Sequence, residues 1–214
     1  MKKGLTEIVF ILDRSGSMGG LEADTIGGFN SMLEKQKDVD GEALLSAVLF
    51  SNESEVLYDR ADIRSIRPMT RSDYRVGGGT ALLDAVGGAI RHIGNVHKYA
   101  RPEDVPEHTL FVITTDGEEN SSRCYTAEKV KAMIERQKSR YGWEFIYLGA
   151  NLDAVKAAGS IGITADRAAN YRADSAGTQL NFEVLSDAMS AVRCCESLEA
   201  GWKKRIENDF EDRG

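Results

Sequence analysis

The feature that most constrains this chain is its alternation of short apolar runs with longer segments of helical spacing. Residues 8–12, 42–50 and 108–115 are rich in apolar side chains, and amphipathic segments lie between them. Apolar runs of this length indicate buried strands, and helices between such strands cover both faces of a parallel sheet. The pattern therefore predicts an α/β fold with a doubly wound, mostly parallel sheet and helices on both faces.

Two further patterns refine this fold. A turn signal at residues 51–53 and the short segment 55–58 predict a return strand that forms an antiparallel edge. Apolar spacing predicts a helix at about 20–37 and another from Thr80 to about Tyr99. The chain should therefore enter each helix shortly after a strand ends, so that loops collect at one edge of the sheet.

The last part of the chain carries a long apolar stripe. Between about residues 174 and 212, apolar residues recur every three or four positions, which predicts one long C-terminal helical extension. Such a stripe usually packs on its own sheet. The alternative is that the part beyond about Leu198 contacts another chain. With a core at about 5–165, we expect a single domain over residues 1–214.

Charge and composition exclude several classes of protein. The net charge of -7 and the pI near 5.1 argue against binding to nucleic acid. No apolar stretch approaches the length of a membrane span. The three cysteines, Cys124, Cys194 and Cys195, are an odd number without a secretory signal, which favours reduced thiols in the cytoplasm.

Oxygen-bearing side chains follow two of the apolar runs. Asp13, Ser15 and Ser17 alternate directly after residues 8–12, Thr80 follows three glycines, and Asp116 follows the run at 108–115. Carboxylate and hydroxyl oxygens suit a small hard cation such as Mg²⁺. An Asp-x-Ser-x-Ser segment alone would be weak evidence, because these residues also form ordinary turns. The carboxyl ends of central strands converge at the switch point of such a sheet, so we expect these residues to meet.

Together these segments resemble the von Willebrand factor type A (VWA) family and its metal-ion-dependent adhesion site (MIDAS). The resemblance implies a Rossmann-like fold and a non-catalytic module for protein–protein interaction. An Asp or Glu of an unidentified partner would bind through a divalent ion, Mg²⁺ or Mn²⁺, with Ca²⁺ as a further option. Matched position by position, the implied ligands are Asp13, Ser15, Ser17, Thr80 and Asp116.

The resemblance is to the compact bacterial, intracellular type within this family. Its members carry a turn similar to Thr-Asp-Gly-Glu at residues 115–118 and a strand end similar to Tyr-Leu-Gly-Ala-Asn at 147–151. The implied location is again the cytoplasm.

Two other functions stay open. A Mg²⁺-dependent, phosphatase-like enzyme would use a similar acidic loop, but it needs a second Asp where this chain has Ser15. A purely structural module with a vacant site is the other alternative.

Some residues near the site also have ordinary structural interpretations. Thr80 could be the N-cap of the following helix. Asp84 could hydrogen-bond to a metal ligand or be a simple charge at a helix start. Met18 and residues 118–122 are expected to border the predicted site. Glu118 and Glu119 are expected to be solvated loop charges, with a direct metal role as the less favoured alternative.

Overall fold

The computed structural model describes residues 1–150, 153–194 and 198–213, and within them the chain forms one six-stranded sheet. The strand order is β3-β2-β1-β4-β5-β6; β3 is antiparallel to β2, and all other neighbours are parallel. The predicted mostly parallel sheet with one antiparallel edge is therefore confirmed. The strands are β1 (Lys2–Asp13), β2 (Glu42–Phe50), β3 (Ser54–Asp62), β4 (Pro106–Thr115), β5 (Glu144–Ala150) and β6 (Ala168–Tyr171).

Helices cover both faces of the sheet, as predicted. They are α1 (Glu22–Lys37), α2 (Leu82–Tyr99), α3 (Ala127–Tyr141), α4 (Ala154–Ser160), α5 (Ser175–Arg193) and α6 (Lys204–Asp212). Helices α1, α5 and α6 bury residues in one core, whereas α2, α3 and α4 bury residues in the other. In the described part of the chain, no helix has the length and apolar character that crossing a bilayer requires.

The central strand β1 explains why there are two cores. Successive side chains of a strand point to opposite faces. Phe10 therefore lies in the core under α1 and α5, while its neighbours Val9 and Ile11 lie in the core under α2 and α3. All three side chains are fully buried. This continuous apolar run is typical of a strand that is covered on both faces.

The C-terminal stripe differs from the prediction in one respect. A C-terminal helix is present, but the stripe is divided between α5 and α6, and a 3₁₀ turn at Ala200–Lys203 precedes α6. The indole Nε1 of Trp202 donates to the Asp166 carbonyl at 2.9 Å. Apolar spacing alone does not show whether a stripe is continuous, because a helix that turns back presents the same spacing.

The turn between the helices brings the distal stripe back onto the sheet. Leu198 and Ile206 are both buried in the same core as Phe10, and α6 packs against β6 and α5. This part of the stripe thus covers the chain's own sheet. Cys195, which belongs to the predicted stripe, lies outside the described residues.

Candidate metal centre

The candidate site lies at the carboxyl ends of the two central strands. The strand order reverses between β1 and β4, which pair in parallel with Leu12 opposite Thr114. Asp13 is the last residue of β1, and Asp116 follows the last residue of β4. The two carboxylates therefore meet at the switch point, where ligands bind in folds of this class.

The loop after β1 wraps back around Asp13. One oxygen of Asp13 accepts a hydrogen bond from the backbone N–H of Ser15 at 2.6 Å. The hydroxyls of Ser15 and Ser17 lie 3.0 Å apart, and Ser17 donates to Asp116 Oδ1 at 2.6 Å. Residues from both strand ends thus form one connected group of oxygen atoms. Asp13, Ser15 and Asp116 are buried, whereas Ser17 is exposed and leaves one side of the group open.

Thr80 completes this group from a third segment. A Cβ atom placed on Gly117 would lie 2.9 Å from Thr80 Oγ1, 3.3 Å from Ser17 Oγ and 3.8 Å from Ser15 Oγ. Three hydroxyls from separate positions therefore border the same small space. This space is free because residue 117 is glycine and has no side chain to fill it. The structure brings together all five residues of the predicted ligand set.

Thr80 is not the N-cap of α2. The helix begins at Leu82 with Ala81 as its N-cap residue, and no side chain makes the capping hydrogen bond. The Thr80 side chain is 2% exposed and faces the space beside Gly117. Its hydroxyl is thus directed to the candidate site, and the structural interpretation of this residue is wrong.

Two residues that the motif does not contain hold Asp13 in place. The hydroxyl of Thr115 donates to Asp13 Oδ2 at 2.5 Å, and the buried hydroxyl of Tyr74 donates to the Asp13 carbonyl. Thr115 directly precedes Asp116, so its position at the strand end was visible in the sequence. Tyr74 lies in an irregular segment and carries no such signal.

The loop after Asp116 holds the Thr80 segment. Asn120 Oδ1 accepts from the backbone N–H of Thr80 at 2.9 Å, and the backbone N–H of Asn120 donates to the Thr80 carbonyl at 3.0 Å. A Cβ atom on Gly79 would lie 2.7 Å from Asn120 Oδ1 and 2.1 Å from Ser121 Oγ, so glycine permits this close approach. The segment that contains Asn120 was predicted to border the site, but no role was predicted for this side chain.

Two acidic residues near the site, Glu119 and Asp84, hold loop backbone in place. Glu119 accepts hydrogen bonds from the backbone N–H groups of Leu83, Ser121 and Ser122. It is therefore an anchor of the loop, and the prediction that it is a solvated charge is wrong, whereas Glu118 is exposed. Burial opposes ionisation of Asp84, but three backbone N–H donors outweigh it and lower the pKa of this carboxyl. The donors are those of Arg123, Cys124 and Tyr125.

The electrostatics of the site favour a cation. Burial raises the pKa of Asp13, and burial together with the nearby Asp13 charge raises the pKa of Asp116. Within the described residues, no lysine or arginine forms an ion pair with either carboxylate. Arg14, the nearest in sequence, pairs with Glu55 at 2.8 Å. A divalent ion would supply the missing positive charge.

The donor set also restricts the kind of ion. Across the described ranges, His, Cys, Asp and Glu side chains nowhere gather in a group of three that could hold a metal. The candidate site has two carboxylates, and its other donors are hydroxyls. Oxygen-only sites of this kind suit Mg²⁺, Mn²⁺ or Ca²⁺ better than metals that prefer nitrogen or sulfur.

The fold and the loop sequence identify the family. The profile of the von Willebrand factor type A domain matches residues 7–184, so the chain belongs to this family. No curated protein matches the chain at a significant level.

Solved structures show the same fold at low sequence identity. Proximal thread matrix protein 1 from the mussel byssus, with a zinc-occupied MIDAS motif, has a TM-score of 0.58 and 13% identity, over 86% of this chain and 46% of that one. The ArnB paralog VWA2 from Sulfolobus acidocaldarius has a TM-score of 0.54 and 19% identity, over 88% and 45%. A von Willebrand factor type A protein from Catenulispora acidiphila has a TM-score of 0.53 and 16% identity, over 87% and 42%. The chain spans less than half the length of each, and these identities show the fold alone.

Proposed function

We propose that this chain is a non-catalytic binding module that captures an acidic side chain of a partner protein through a divalent ion. The observation that carries the proposal is the space beside Gly117, which three hydroxyls border next to two buried carboxylates that pair with no described cation. Members of the family to which the chain belongs mediate protein interactions, which supports the same conclusion.

The five oxygen-bearing residues are the proposed ligands. Asp13, Ser15, Ser17, Thr80 and Asp116 would hold the ion directly or through water, and the bound ion would supply a positively charged Lewis acid. Mg²⁺ is the preferred candidate because every donor is oxygen, with Mn²⁺ and Ca²⁺ as alternatives. The zinc-occupied MIDAS motif of the mussel protein supports a divalent site at this place in the fold.

An Asp or Glu of the partner is the proposed ligand from outside. The hydroxyls are neutral, so two carboxylates leave the ion able to attract a further negative oxygen. Ser17 and Gly16 are exposed, whereas the other ligands are buried, so a partner would approach over the Ser15–Ser17 loop. Because the whole chain carries a net charge of -7, recognition of an acid would depend on the local field of the ion.

Phosphatase-like catalysis is the less favoured alternative. Both oxygens of Asp13 already accept short hydrogen bonds, from the Ser15 N–H and the Thr115 hydroxyl, which makes this carboxylate a poor nucleophile. Such an enzyme needs a second acid two positions after Asp13, where this chain has Ser15, so a leaving group would have no proton donor there. Turnover of a generic phosphoester with Mg²⁺, lost in Asp13→Ala, would favour the enzyme.

We also propose a cytoplasmic location in a bacterial cell. Cys124 and Cys194 are both free and exposed thiols, which suits a reducing compartment. The bacterial assignment rests on the sequence resemblance alone.

Calorimetric titration of Mg²⁺ into Asp116→Ala tests the metal site. This substitution removes the acceptor of one hydrogen bond, which Ser17 donates, so the fold should persist while Mg²⁺ affinity falls by more than about tenfold. Glu118→Gln is the matched control, because it removes a neighbouring charge that is exposed. Unchanged affinity in Asp116→Ala would contradict the assignment, and no Mg²⁺ binding by the unaltered chain would favour a structural module with a vacant site.

A further inference from the structure

A concave surface lies at the amino ends of the strands, opposite the carboxyl ends that carry the candidate metal centre. It is a groove of about 850 Å³ between the C-terminal parts of α2 and α3. Trp143 and Val105, which precede β5 and β4, form part of its wall. Strand β4 separates the two edges, and its ten residues correspond to about 30 Å. We call this surface the basic groove.

Apolar side chains line the base of the basic groove. Ile90 on α2, Met133 on α3 and Trp143 border it. Gly94 deepens it, since a Cβ atom there would lie 3.4 Å from Gln137 Nε2 and 4.0 Å from the Trp143 ring. A groove between two helices with an apolar base is the shape that accepts the apolar face of a third helix.

Four cations surround this groove, and no carboxylate of the described residues lines it. The cations are Arg91, Lys98, Arg136 and Arg140. None of the four forms an ion pair within the described ranges, whereas Arg60, Arg67 and many other cations of the chain do. In a chain with a net charge of -7, a group of unpaired cations around an apolar groove is complementary to an acidic, partly apolar ligand.

One exposed tyrosine, Tyr141, lines the groove, and another, Tyr99, follows the groove residue Lys98. Tyr99 at the end of α2 is 78% exposed, and Tyr141 at the end of α3 is 50% exposed. Lys98 Nζ lies 5.0 Å from the Tyr99 ring centre, and the Arg140 guanidinium lies 5.5 Å from that of Tyr141. Aromatic residues and arginine are the residue types that contribute most to binding at protein interfaces.

The aromatic rings are poorly placed for nucleic acid. The Trp143 ring is stacked on Phe111 at 5.2 Å, and His97 packs against it at 5.4 Å. Trp143 is 5% exposed, so the ring at the base of the groove has no open face. Base stacking needs an open aromatic face, so the arrangement favours a protein segment over single-stranded nucleic acid.

We propose that the basic groove docks an acidic amphipathic helix of a partner protein. The apolar face of that helix would cover the half-buried Met133 and Val105 above the buried Ile90 and Trp143, and its carboxylates would pair with the four cations. This contact is independent of the metal centre, since the two surfaces lie at opposite edges of the sheet.

A labelled synthetic peptide tests the proposal. The probe carries leucine at positions i, i+3, i+4 and i+7 and glutamate elsewhere, and its binding to the full chain is followed by fluorescence anisotropy. Arg136→Glu/Arg140→Glu should weaken binding by at least about tenfold, and added salt should weaken it in the unaltered chain. Chelator and Asp13→Ala should leave it unchanged.

Lys129→Glu/Lys156→Glu is the matched control. It makes the same change in charge at two exposed lysines, one of them on α3, that do not line the groove. This control should bind the peptide like the unaltered chain, and circular dichroism should show that both double variants are folded.

Several results would overturn the proposal. They are failure of the peptide to bind, equal loss of binding in both double variants, and loss of binding on chelation. Preference for an oligonucleotide or for anionic vesicles over the peptide would assign the cations to another class of ligand. Concentration-dependent dimers that Arg136→Glu/Arg140→Glu abolishes would make a second copy the occupant.

Discussion

The two ends of the strands carry opposite charges, and in the described part of the chain these charges have no partner of the other sign. At the carboxyl ends of the strands, Asp13 and Asp116 are buried among hydroxyls, and no described lysine or arginine pairs with them. At the amino ends, Arg136 and Arg140 border an apolar groove that no described acidic side chain lines. One edge is therefore suited to a cation and the other to an acidic segment.

The difference shows which charges of this chain are available for ligands. Elsewhere, buried or half-buried carboxylates are neutralised internally: both oxygens of the fully buried Glu7 accept hydrogen bonds from Arg60, and Asp73 pairs with Arg67 at 2.7 Å. Pairing of that kind stabilises the fold and leaves no charge for a ligand. The two carboxylates at the metal centre are buried without a described cation, and at the other end of the strands four exposed cations are grouped around one groove.

The largest effect should come from filling the space beside Gly117, at the carboxyl ends of the strands. In Gly117→Ala the added methyl group would lie 2.9 Å from Thr80 Oγ1 and take the position around which the hydroxyls gather. Crowding of this kind costs about 1–3 kcal/mol, so Mg²⁺ affinity by calorimetry should fall roughly 5- to 150-fold. Peptide binding at the basic groove should not change.

Gly159→Ala is the control for this prediction, because a Cβ atom there meets nothing within 4 Å. It should bind Mg²⁺ like the unaltered chain. Full Mg²⁺ affinity in Gly117→Ala would show that the ion does not occupy the space beside Thr80.

The next prediction compares the stability effect of removing a buried cation that holds the fold together with that of removing a cation of the basic groove. Arg193 is 5% exposed and donates to the carbonyls of Gln36, Val39 and Gly41, which joins α5 to the loop before β2. Arg193→Met leaves these three carbonyls, of which that of Gln36 is buried, without that donor and should lower the free energy of unfolding by about 2 kcal/mol in urea. Arg136→Met, at the groove, should change it by less than about 0.5 kcal/mol.

Both of these variants should keep Mg²⁺ binding. Equal stability losses in the two would mean that Arg136 has an internal role, and the contrast between Arg193 and the cations of the basic groove would fail.

The smallest effect is the pH dependence of stability that Asp116 causes at the carboxyl ends of the strands. The pKa of Asp116 is raised above 3.8 in the folded chain, chiefly by burial, so the folded state holds this proton more tightly than the unfolded state. Its contribution to stability is present at acid pH and is lost as the pH rises from 3.8 through the raised value. Asp116→Asn keeps the oxygen that accepts from Ser17 but carries no charge. In chelator, it should gain stability over the unaltered chain as the pH rises to neutral.

Thermal unfolding of both chains across this pH range measures the difference. Excess Mg²⁺ should reverse the order, because only the unaltered chain keeps a full carboxylate for the ion. A variant that is no more stable than the unaltered chain at neutral pH in chelator would show that burial does not oppose the Asp116 charge.

Much of the fold was predictable because burial on both faces leaves a direct trace in the strand sequences. The apolar runs at 8–12 and 108–115 indicated β1 and β4, and Glu42–Phe50 is the second strand as predicted. The break between α5 and α6 was not predictable, since both continue the same apolar spacing and the contacts that stop the stripe come from distant residues such as Asp166.

The candidate site was predictable for a different reason. Asp13, Ser15 and Ser17 are close in the chain, Asp116 directly follows β4, which neighbours β1, and the VWA resemblance implied the same residues. The supports of the site were not visible. Tyr74 and Asn120 act through backbone atoms of Asp13 and Thr80, and such contacts leave no pattern in the sequence.

Local spacing and the positions where strands stop predict the sheet, its two cores and the oxygen-bearing residues at the strand ends, and the VWA resemblance adds Thr80 to that set. Contacts between distant segments determine that Thr80 faces Gly117, that the C-terminal stripe turns back onto β6, and that cations from α2 and α3 surround one groove. Each of these depends on the relative placement of segments far apart in the chain. That placement is set by packing across the sheet and not by any one segment's composition.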